Sequence, residues 1–376
     1  MRMLLTIWMF SFAAMVAAQS LQWVTGTADT SYSVHNEFRK LAPRYTRLQL
    51  PQPIPQQNIR QLTTTYSNEE GQQLAAIIIE PFTKQNSNGV VLVLIHGGGW
   101  RSGTPQLMVP LAERMALRGY TCVLPQYRLS THALYPAAVQ DLLACLRWVR
   151  QQAAQWHAHS SQIVVAGHSA GGQLAALIGA VNGKTIFSKT PVSVQAVIDM
   201  DGILAFIHPE SGEGDDSKGP SAATRWFGAA ASERPDLWQQ ASPLTHAGAH
   251  CPPFLFINSS VPRMRAGQAD FMAVLHQYGI RTEAFALSDA PHSFVLFQPW
   301  LDTVVAYADR FIQQVLHLPT NSQTAGAAVG KRNNCCSTIA YLLHPIKTDF
   351  TCENVLYASR CYCCLARYNS THKPTV

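Results

Sequence analysis

Two short motifs in this 376-residue chain place a serine and a histidine among closely spaced glycines. Ser169 lies in the segment 167–172 (GHSAGG), directly after the apolar run 162–166. This spacing fits G-x-S-x-G, a pattern in which a sharp turn from strand to helix exposes the serine hydroxyl. A free serine hydroxyl is a poor nucleophile, so chemistry at Ser169 would require a neighbouring base.

The second motif lies upstream, at residues 96–100 (HGGGW), and also follows an apolar run, 90–95. We predict that the backbone N–H groups of Gly98 and Gly99, together with that of Ala170, bind the oxyanion that forms during attack on a carbonyl carbon. One such donor contributes about 2.7–4 kcal/mol to transition-state stabilisation. His96 is expected to brace the glycine loop rather than to act as a base.

The predicted base is His292, in the segment 289–294 (DAPHSF). It follows the last predicted strand and precedes the last predicted helix. This position satisfies the chain order of serine, acid and histidine that accompanies G-x-S-x-G. His168, inside the serine motif, is expected to pack against the site or line it.

The acid that should orient His292 is less clearly placed. The loop after the strand predicted at 253–258 contains no carboxylate until Asp270, which begins the next helix. We therefore predict Asp270 as the acid. Asp201 (or Asp199), at the end of the preceding strand, is the alternative, and a weakened or missing acid is a third possibility.

Apolar runs alternate with amphipathic segments over most of the chain. Strands are predicted at 74–79, 90–95, 120–126, 162–168, 194–200, 253–258 and 281–287, and helices near 106–118, 136–155, 170–181, 267–279 and 300–316. This alternation predicts an α/β fold whose mainly parallel central sheet has helices on both faces. Residues 203–250 interrupt it and are expected to form an insertion above the C-terminal edge of the sheet, where they would cover a substrate.

The sequence predicts four segments. Residues 1–18 resemble a secretory signal, since Arg2 precedes an apolar stretch that ends in small residues; secretion or periplasmic location is expected. That stretch, 4–17, is shorter than the roughly 20 residues of a membrane-spanning helix, although an uncleaved anchor is the alternative. Residues 19–70 are predicted to be an N-terminal arm, 71–318 the catalytic domain and 319–376 a cysteine-rich tail.

Charge and cysteine usage separate the tail from the rest. The formal net charge is +6, yet six basic and two acidic residues lie in 319–376, and 19–318 is almost balanced. Such a balance gives no electrostatic footprint for nucleic acid. Six of the nine cysteines lie in the last 42 residues. The tail is expected outside the enzyme fold; a zinc site at Cys361 and Cys364 or a disulfide knot are alternatives.

At its motifs the chain resembles the α/β-hydrolase superfamily, in particular its secreted carboxylesterase branch, which includes carbohydrate esterases and hormone-sensitive-lipase-like enzymes. The resemblance is carried by HGGGW, GHSAGG and DAPHSF, and by the segments 127–129 (YRL) and 135–137 (YPA). It implies a serine carboxylesterase that works through an acyl-enzyme and needs no cofactor or metal. Segments 258–263 and 297–300 look like a subgroup associated with pectin acetyl esters.

The narrower resemblance implies deacetylation of plant polysaccharide fragments of pectin or xylan type, with a small ester or an acetylated oligosaccharide as partner and no stable membrane insertion. Trp100 and Tyr127 are predicted to contact a sugar ring, and Arg263 to pair with a uronate carboxylate. The same machinery would serve a lipase-like or feruloyl esterase or an arylformamidase. A catalytically inactive binding protein of the same fold is the alternative from another class.

Overall fold

The structure is a computed structural model that describes residues 24–318. The predicted signal segment (1–18) and cysteine-rich tail (319–376) lie outside the described residues. Within 24–318, no helix combines the length and the apolar character needed to cross a membrane. Cys122, Cys145 and Cys251 are all buried and carry free thiols.

A single sheet of eight strands forms the centre of the molecule, in the order β1-β2-β4-β3-β5-β6-β7-β8. Its two antiparallel pairs, β1 with β2 and β2 with β4, lie at one end, and the other neighbours are parallel. The mainly parallel α/β fold is therefore confirmed. The strands are β1 (Ile59–Ser67), β2 (Gln73–Pro81), β3 (Val91–Ile95), β4 (Thr121–Pro125), β5 (Ile163–His168), β6 (Ala196–Met200), β7 (Phe254–Asn258) and β8 (Thr282–Ala286).

The helices within residues 24–318 are α1 (Val34–Leu41), α2 (Val109–Ala116), α3 (Ala137–Gln152), α4 (Ala170–Ala180), α5 (Ala222–Phe227), α6 (Pro235–Gln240), α7 (Gln268–Gln277) and α8 (Trp300–Val315). Five helices lie close to the predicted ranges, namely α2, α3, α4, α7 and α8, whereas the sequence does not predict α1, α5 and α6 as helices. The predicted helix at 136–155 is α3 followed by a short 3₁₀ turn, Ala153–Trp156. The insertion at 203–250 contains α5 and α6.

Two hydrophobic layers form the core, one on each face of the sheet. Alternate residues of β3 enter opposite layers, as strand geometry requires: Val91 and Val93 face one side, Leu92 and Leu94 the other. Buried residues of α3, α4 and α7 belong to the first layer, whereas those of α2 and α8 belong to the second. The sheet is thus covered by helices on both faces.

The predicted arm, 19–70, contains an element of the sheet. Strand β1 pairs with β2 along its whole length, from Ile59 opposite Pro81 to Ser67 opposite Gln73. The boundary predicted between residues 70 and 71 therefore falls between two paired strands. Strand β1 is difficult to predict from sequence because it lies at the edge of the sheet and its side chains are mostly polar and exposed. Within β1 only Ile59 and Tyr66 are buried.

A buried ion pair joins the antiparallel end of the sheet to α3. Asp141 is inaccessible to solvent, and its carboxylate accepts hydrogen bonds from the guanidinium of Arg128 at 2.9 Å and from the side-chain amide of Asn68 at 3.0 Å. The backbone N–H of Arg128 donates to the same carboxylate at 2.9 Å. Removing this anion would leave a largely buried guanidinium without its main partner.

We therefore expect Asp141→Ala to lower the free energy of unfolding by about 3–5 kcal/mol, measured by urea denaturation. Asp302→Ala is the matched control, because Asp302 pairs with Arg114 at 3.2 Å but is mostly exposed. An exposed pair contributes at most about 1 kcal/mol. Equal losses in the two variants would contradict this account.

Candidate active site

Ser169 occupies the tight turn between β5 and α4. Its backbone has φ 57° and ψ −123°, a conformation that costs free energy for any residue other than glycine. The backbone N–H of Ser169 donates to the carbonyl of Met200 at 2.8 Å, which fixes the turn against β6. The side chain therefore projects from the end of β5 at the start of a helix, as the motif predicted.

A continuous chain of hydrogen bonds runs from Ser169 through His292 to Asp201. His292 Nδ1 lies 2.8 Å from Asp201 Oδ2, and His292 Nε2 lies 2.8 Å from Ser169 Oγ. A carboxylate can only accept, so Nδ1 carries the proton and Nε2 is free to accept from the serine hydroxyl. Asp201 is 1% exposed, and its other oxygen accepts from the backbone N–H of Ser259 at 2.7 Å.

The structure corrects the choice of Asp270 as the acid. Asp270 lies in the first turn of α7 with its side chain 65% exposed, and its carboxylate is 3.1 Å from His208 Nε2. Asp201, the alternative, contacts His292. Parallel pairing of β5, β6 and β7 brings the residues that follow these strands to one edge, so an acid after β6 can reach a histidine after β8.

Asp199 is excluded as the partner of His292 by its position. Its carboxylate accepts from the backbone N–H of Gly202 at 2.7 Å, on the far side of the turn that presents Asp201. Burial raises the pKa of Asp199 well above its ordinary value. Asp199 therefore shapes this turn, which holds Asp201 at φ 58°.

The glycine loop at 97–99 adopts a conformation that requires glycine. Gly98 has φ 127°, and a Cβ at this position would collide with the carbonyl of Ser102. Within residues 24–318, the N–H groups of Gly98 and Gly99 donate to no protein acceptor. Gly99 and Ala170 line the same cavity as Ser169 and His292.

Two buried histidines support this arrangement. His96 stacks on Tyr127 with 4.5 Å between ring centroids, and its Nδ1 lies 2.9 Å from the carbonyl of Gly97. His168 Nε2 donates to the backbone carbonyl of His292 at 2.7 Å. Burial lowers the pKa of His96 to about 4, and burial with the nearby charge of His292 lowers the pKa of His168 to about 3. Both rings are neutral at pH 7.

The structure also corrects the role predicted for Tyr127. This residue is 1% exposed, and its hydroxyl donates to the carbonyl of His96 at 2.9 Å. Tyr127 thus lies beneath the glycine loop rather than in the cavity beside Ser169. Sequence could not distinguish these positions, because aromatic residues are common both in cores and at sugar-binding surfaces.

Trp100 lines the cavity, although the residue is only 4% exposed. Its ring stacks on Trp226 at 4.8 Å and its Nε1 donates to Gln173 at 2.9 Å, an arrangement that fixes the ring. Trp226 is one of several packed aromatic residues of the insertion, with Phe227 and Trp238. The insertion therefore forms one wall of the site.

The cavity beside Ser169 has a volume of about 170 Å³. The insertion contributes three of its lining residues, Ile203, Glu213 and Ala222, and the loop after β7 contributes Arg263 and Met264. Sequence analysis missed Glu213, because it lies in a flexible-looking acidic segment. Within residues 24–318, no group of three or more His, Cys, Asp or Glu side chains is placed to hold a metal ion.

Burial of His96 and His168 generates a prediction about acid stability. Unfolding returns each pKa to about 6.5, so the unfolded chain binds more protons below that pH. The resulting stability is complete above pH 6.5 and is lost as the pH falls towards 4 for His96 and 3 for His168. At pH 5 we expect a loss of roughly 2 kcal/mol per histidine.

Urea denaturation at pH 7.5 and pH 5 measures this loss. His168→Gln should lose roughly 2 kcal/mol less than wild type between the two pH values, because glutamine cannot bind the proton. His157→Asn, a change at an exposed histidine, should lose as much as wild type. An equal loss in His168→Gln and wild type would contradict the assignment of a neutral, buried imidazole.

The amino-acid sequence is similar to a known protein family and to several esterases. The BD-FAE family model matches residues 78–264. Esterase LipQ of Mycobacterium tuberculosis is 28% identical over 226 residues, covering 58% of this chain and 53% of LipQ. Carboxylesterase NlhH of the same organism is 40% identical over 89 residues, covering 23% of this chain and 28% of NlhH. The chain thus spans about half or less of the length of these curated relatives.

Solved structures share the fold over a larger part of the chain. Esterase Est2 of Thermogutta terrifontis has a TM-score of 0.56 at 23% identity, covering 69% of this chain and 94% of Est2. A truncated carbohydrate esterase from gut microbiota has a TM-score of 0.55 at 19% identity, covering 71% of this chain and 99% of that one. Together with the order of the eight strands, these similarities show that the chain has the α/β-hydrolase fold of these esterases.

Proposed function

We propose that this protein is a serine carboxylesterase that hydrolyses esters through an acyl-enzyme on Ser169. The observation that carries the proposal is the pair of 2.8 Å hydrogen bonds that link Ser169, His292 and Asp201. A hydroxyl bonded to an imidazole, itself bonded to a buried carboxylate, is the arrangement that activates serine for acyl transfer. Curated relatives named as esterases support the same class of reaction.

The proposed reaction uses the chain's own groups in two half-reactions. Ser169 Oγ attacks the ester carbonyl carbon while its proton passes to His292 Nε2, and Asp201 stabilises the imidazolium. The oxyanion accepts hydrogen bonds from the N–H groups of Gly99 and Ala170, with Gly98 as the third proposed donor. The C–O bond then breaks, and His292 returns the proton to the departing alcohol. Water, deprotonated by His292, attacks the acyl carbon; the bond to Ser169 Oγ then breaks, His292 returns the proton to Oγ, and the carboxylic acid is released.

The alternative of a catalytically inactive binding protein is less well supported. The sequence feature that favoured it was the absence of a well-placed acid after β7. The contact between Asp201 and His292 removes that argument, because the acid follows β6 instead. Loss of activity in variants of the three linked residues is the direct test.

We expect Ser169→Ala to lower kcat for 4-nitrophenyl acetate by about 10⁶-fold. Asp201→Asn should lower it by about 10⁴-fold, because the amide stabilises the wrong tautomer of His292. Asp270→Asn is the matched control, since its carboxylate is exposed beside His208, and we expect a change within about twofold. A large loss in Asp270→Asn with little change in Asp201→Asn would overturn the assignment of the acid.

For the substrate, we propose short acyl esters, in particular acetyl groups on plant polysaccharide fragments. A cavity of about 170 Å³ is smaller than the roughly 300–1,000 Å³ of typical ligand pockets, which favours a small acyl group over a long fatty chain. The likeness to a carbohydrate esterase from gut microbiota agrees with a sugar alcohol. The signal-like segment 1–18 supports action outside the cytoplasm.

Arg263 and Glu213 are proposed to influence whether the enzyme prefers a neutral or an acidic sugar as substrate. Arg263 is proposed to bind a uronate carboxylate, and its side chain is largely exposed at the cavity. Glu213 Oε1 lies 3.9 Å from Arg263 Nη1, while Oε2 accepts from the backbone N–H of Ala223 at 3.1 Å. An ionised Glu213, 3.9 Å from the guanidinium, would repel a second carboxylate at Arg263. Burial raises the pKa of Glu213, whereas the Arg263 cation acts in the opposite direction and favours the ionised form.

Acetate release from acetylated galacturonides and acetylated xylo-oligosaccharides tests this pair. We expect Arg263→Gln to lower kcat/KM about tenfold on the galacturonide alone, and Glu213→Gln to raise it there because a like charge is removed. The xylo-oligosaccharide, which carries no carboxylate, is the internal control. An equal effect of Arg263→Gln on both substrates would reject the uronate-binding role.

A further inference from the structure

The N-terminal segment 24–55 packs against the loop that carries His292. Its helix α1 begins after Ser33, whose hydroxyl accepts from the N–H of Asn36 and so caps the helix. Gln49 and Gln298 exchange two backbone hydrogen bonds, at 3.0 and 3.3 Å. Aromatic contacts accompany this bridge, Phe38 with Phe297 and Tyr45 with Trp300. The segment is thus fixed beside residues 293–300.

One contact of α1 reaches the residue next to His292. The hydroxyl of Ser293 donates to Glu37 Oε2 at 2.6 Å. Ser293 is 2% exposed and precedes the short helix Phe294–Leu296, yet its side chain does not cap that helix. The hydroxyl is committed to Glu37 instead. Because Ser293 is buried and the Glu37 side chain is only 14% exposed, a charge-assisted bond of this length restrains the backbone.

Besides Ser169, three residues from different parts of the chain hold His292 in place. Asp201, after β6, bonds the ring; His168, the last residue of β5, bonds the backbone carbonyl; and Glu37, on α1, bonds the following residue. The first two restrain His292 from the sheet side. The third restrains it from the N-terminal segment, at the residue directly after His292.

Tyr32 lies close enough to Glu37 and Asp201 to be affected by their charges. Its hydroxyl is buried and has no hydrogen-bond partner within residues 24–318. Burial, and then the negative charges of Glu37 and Asp201, raise the pKa of Tyr32 well above its ordinary value. The part of this region around the Tyr32 hydroxyl is therefore closed to water, whereas the Glu37 side chain is 14% exposed.

We propose that Glu37 is a positioning residue, which acts through Ser293 to hold the His292 ring in line with both Ser169 and Asp201. The inference rests on the proposed esterase function. Misplacement of a catalytic group by about 1 Å can cost 100-fold in rate. Loss of this contact therefore lowers turnover while the substrate cavity, which contains neither Glu37 nor Ser293, keeps its shape.

Kinetics with 4-nitrophenyl acetate on the full chain test the proposal. Ser293→Ala and Glu37→Ala should each lower kcat about tenfold with little change in KM. Because both remove the same contact, kcat of the double variant should be no lower than that of the less active single variant. Glu37→Gln keeps an oxygen acceptor and should recover most of the rate. Lys40→Gln is the matched control, because Lys40 pairs with Glu37 but is exposed. Thermal unfolding checks that each variant is folded.

Additive losses in the double variant, or a kcat within about twofold of wild type in the folded single variants, would overturn the proposal. NMR of ¹⁵N-labelled histidine gives a readout that does not depend on turnover. Ser293→Ala should broaden or shift the ring signals of His292, whereas Lys40→Gln should leave them unchanged. Full activity in Ser169→Ala would reject the proposed acyl-enzyme on Ser169. The ring signals of His292 would still decide the role of Glu37, because unchanged signals in Ser293→Ala reject it.

Discussion

The geometry of this site depends on a backbone contact between β3 and the first turn of α4. A Cβ on Gly171 would collide with the carbonyl groups of Ile95 and His96. Because Gly171 has none, the helix begins directly against the end of the strand. The hydroxyl of Ser169, the N–H of Ala170 and the glycine loop after β3 are thereby held around one small cavity.

Two buried histidines near the cavity, His96 and His168, carry no charge at pH 7. His96 and His168 are neutral because burial disfavours their protonated forms, so neither competes with His292 as a base. Both still use their ring nitrogens to fix backbone carbonyls. Asp201 is satisfied by His292 and by the N–H of Ser259. A buried site in which the acid and the two neutral histidines already have their hydrogen-bond partners needs little reorganisation during reaction, which is how oxyanion-type sites stabilise charge.

Segments far apart in sequence complete the site. The insertion between β6 and β7 supplies one wall, including Glu213, and the N-terminal segment supplies Glu37 behind His292. Both segments are polar and lack a clear hydrophobic period. Their positions are decided by tertiary contacts: the aromatic cluster around Trp226 for the insertion, and the bridge between Gln49 and Gln298 for the N-terminal segment.

The sequence alone determined the alternation of strands and helices and the positions of Ser169 and His292 after strands. These features follow from apolar runs and glycine spacing, which act over a few residues. The sequence did not identify β1 as a strand or Glu37 as a partner of Ser293, and it preferred Asp270 to Asp201. Those outcomes depend on which strands become neighbours. Parallel pairing of β5, β6 and β7 brings Asp201 to His292 across 91 residues, a contact that only the tertiary structure could decide.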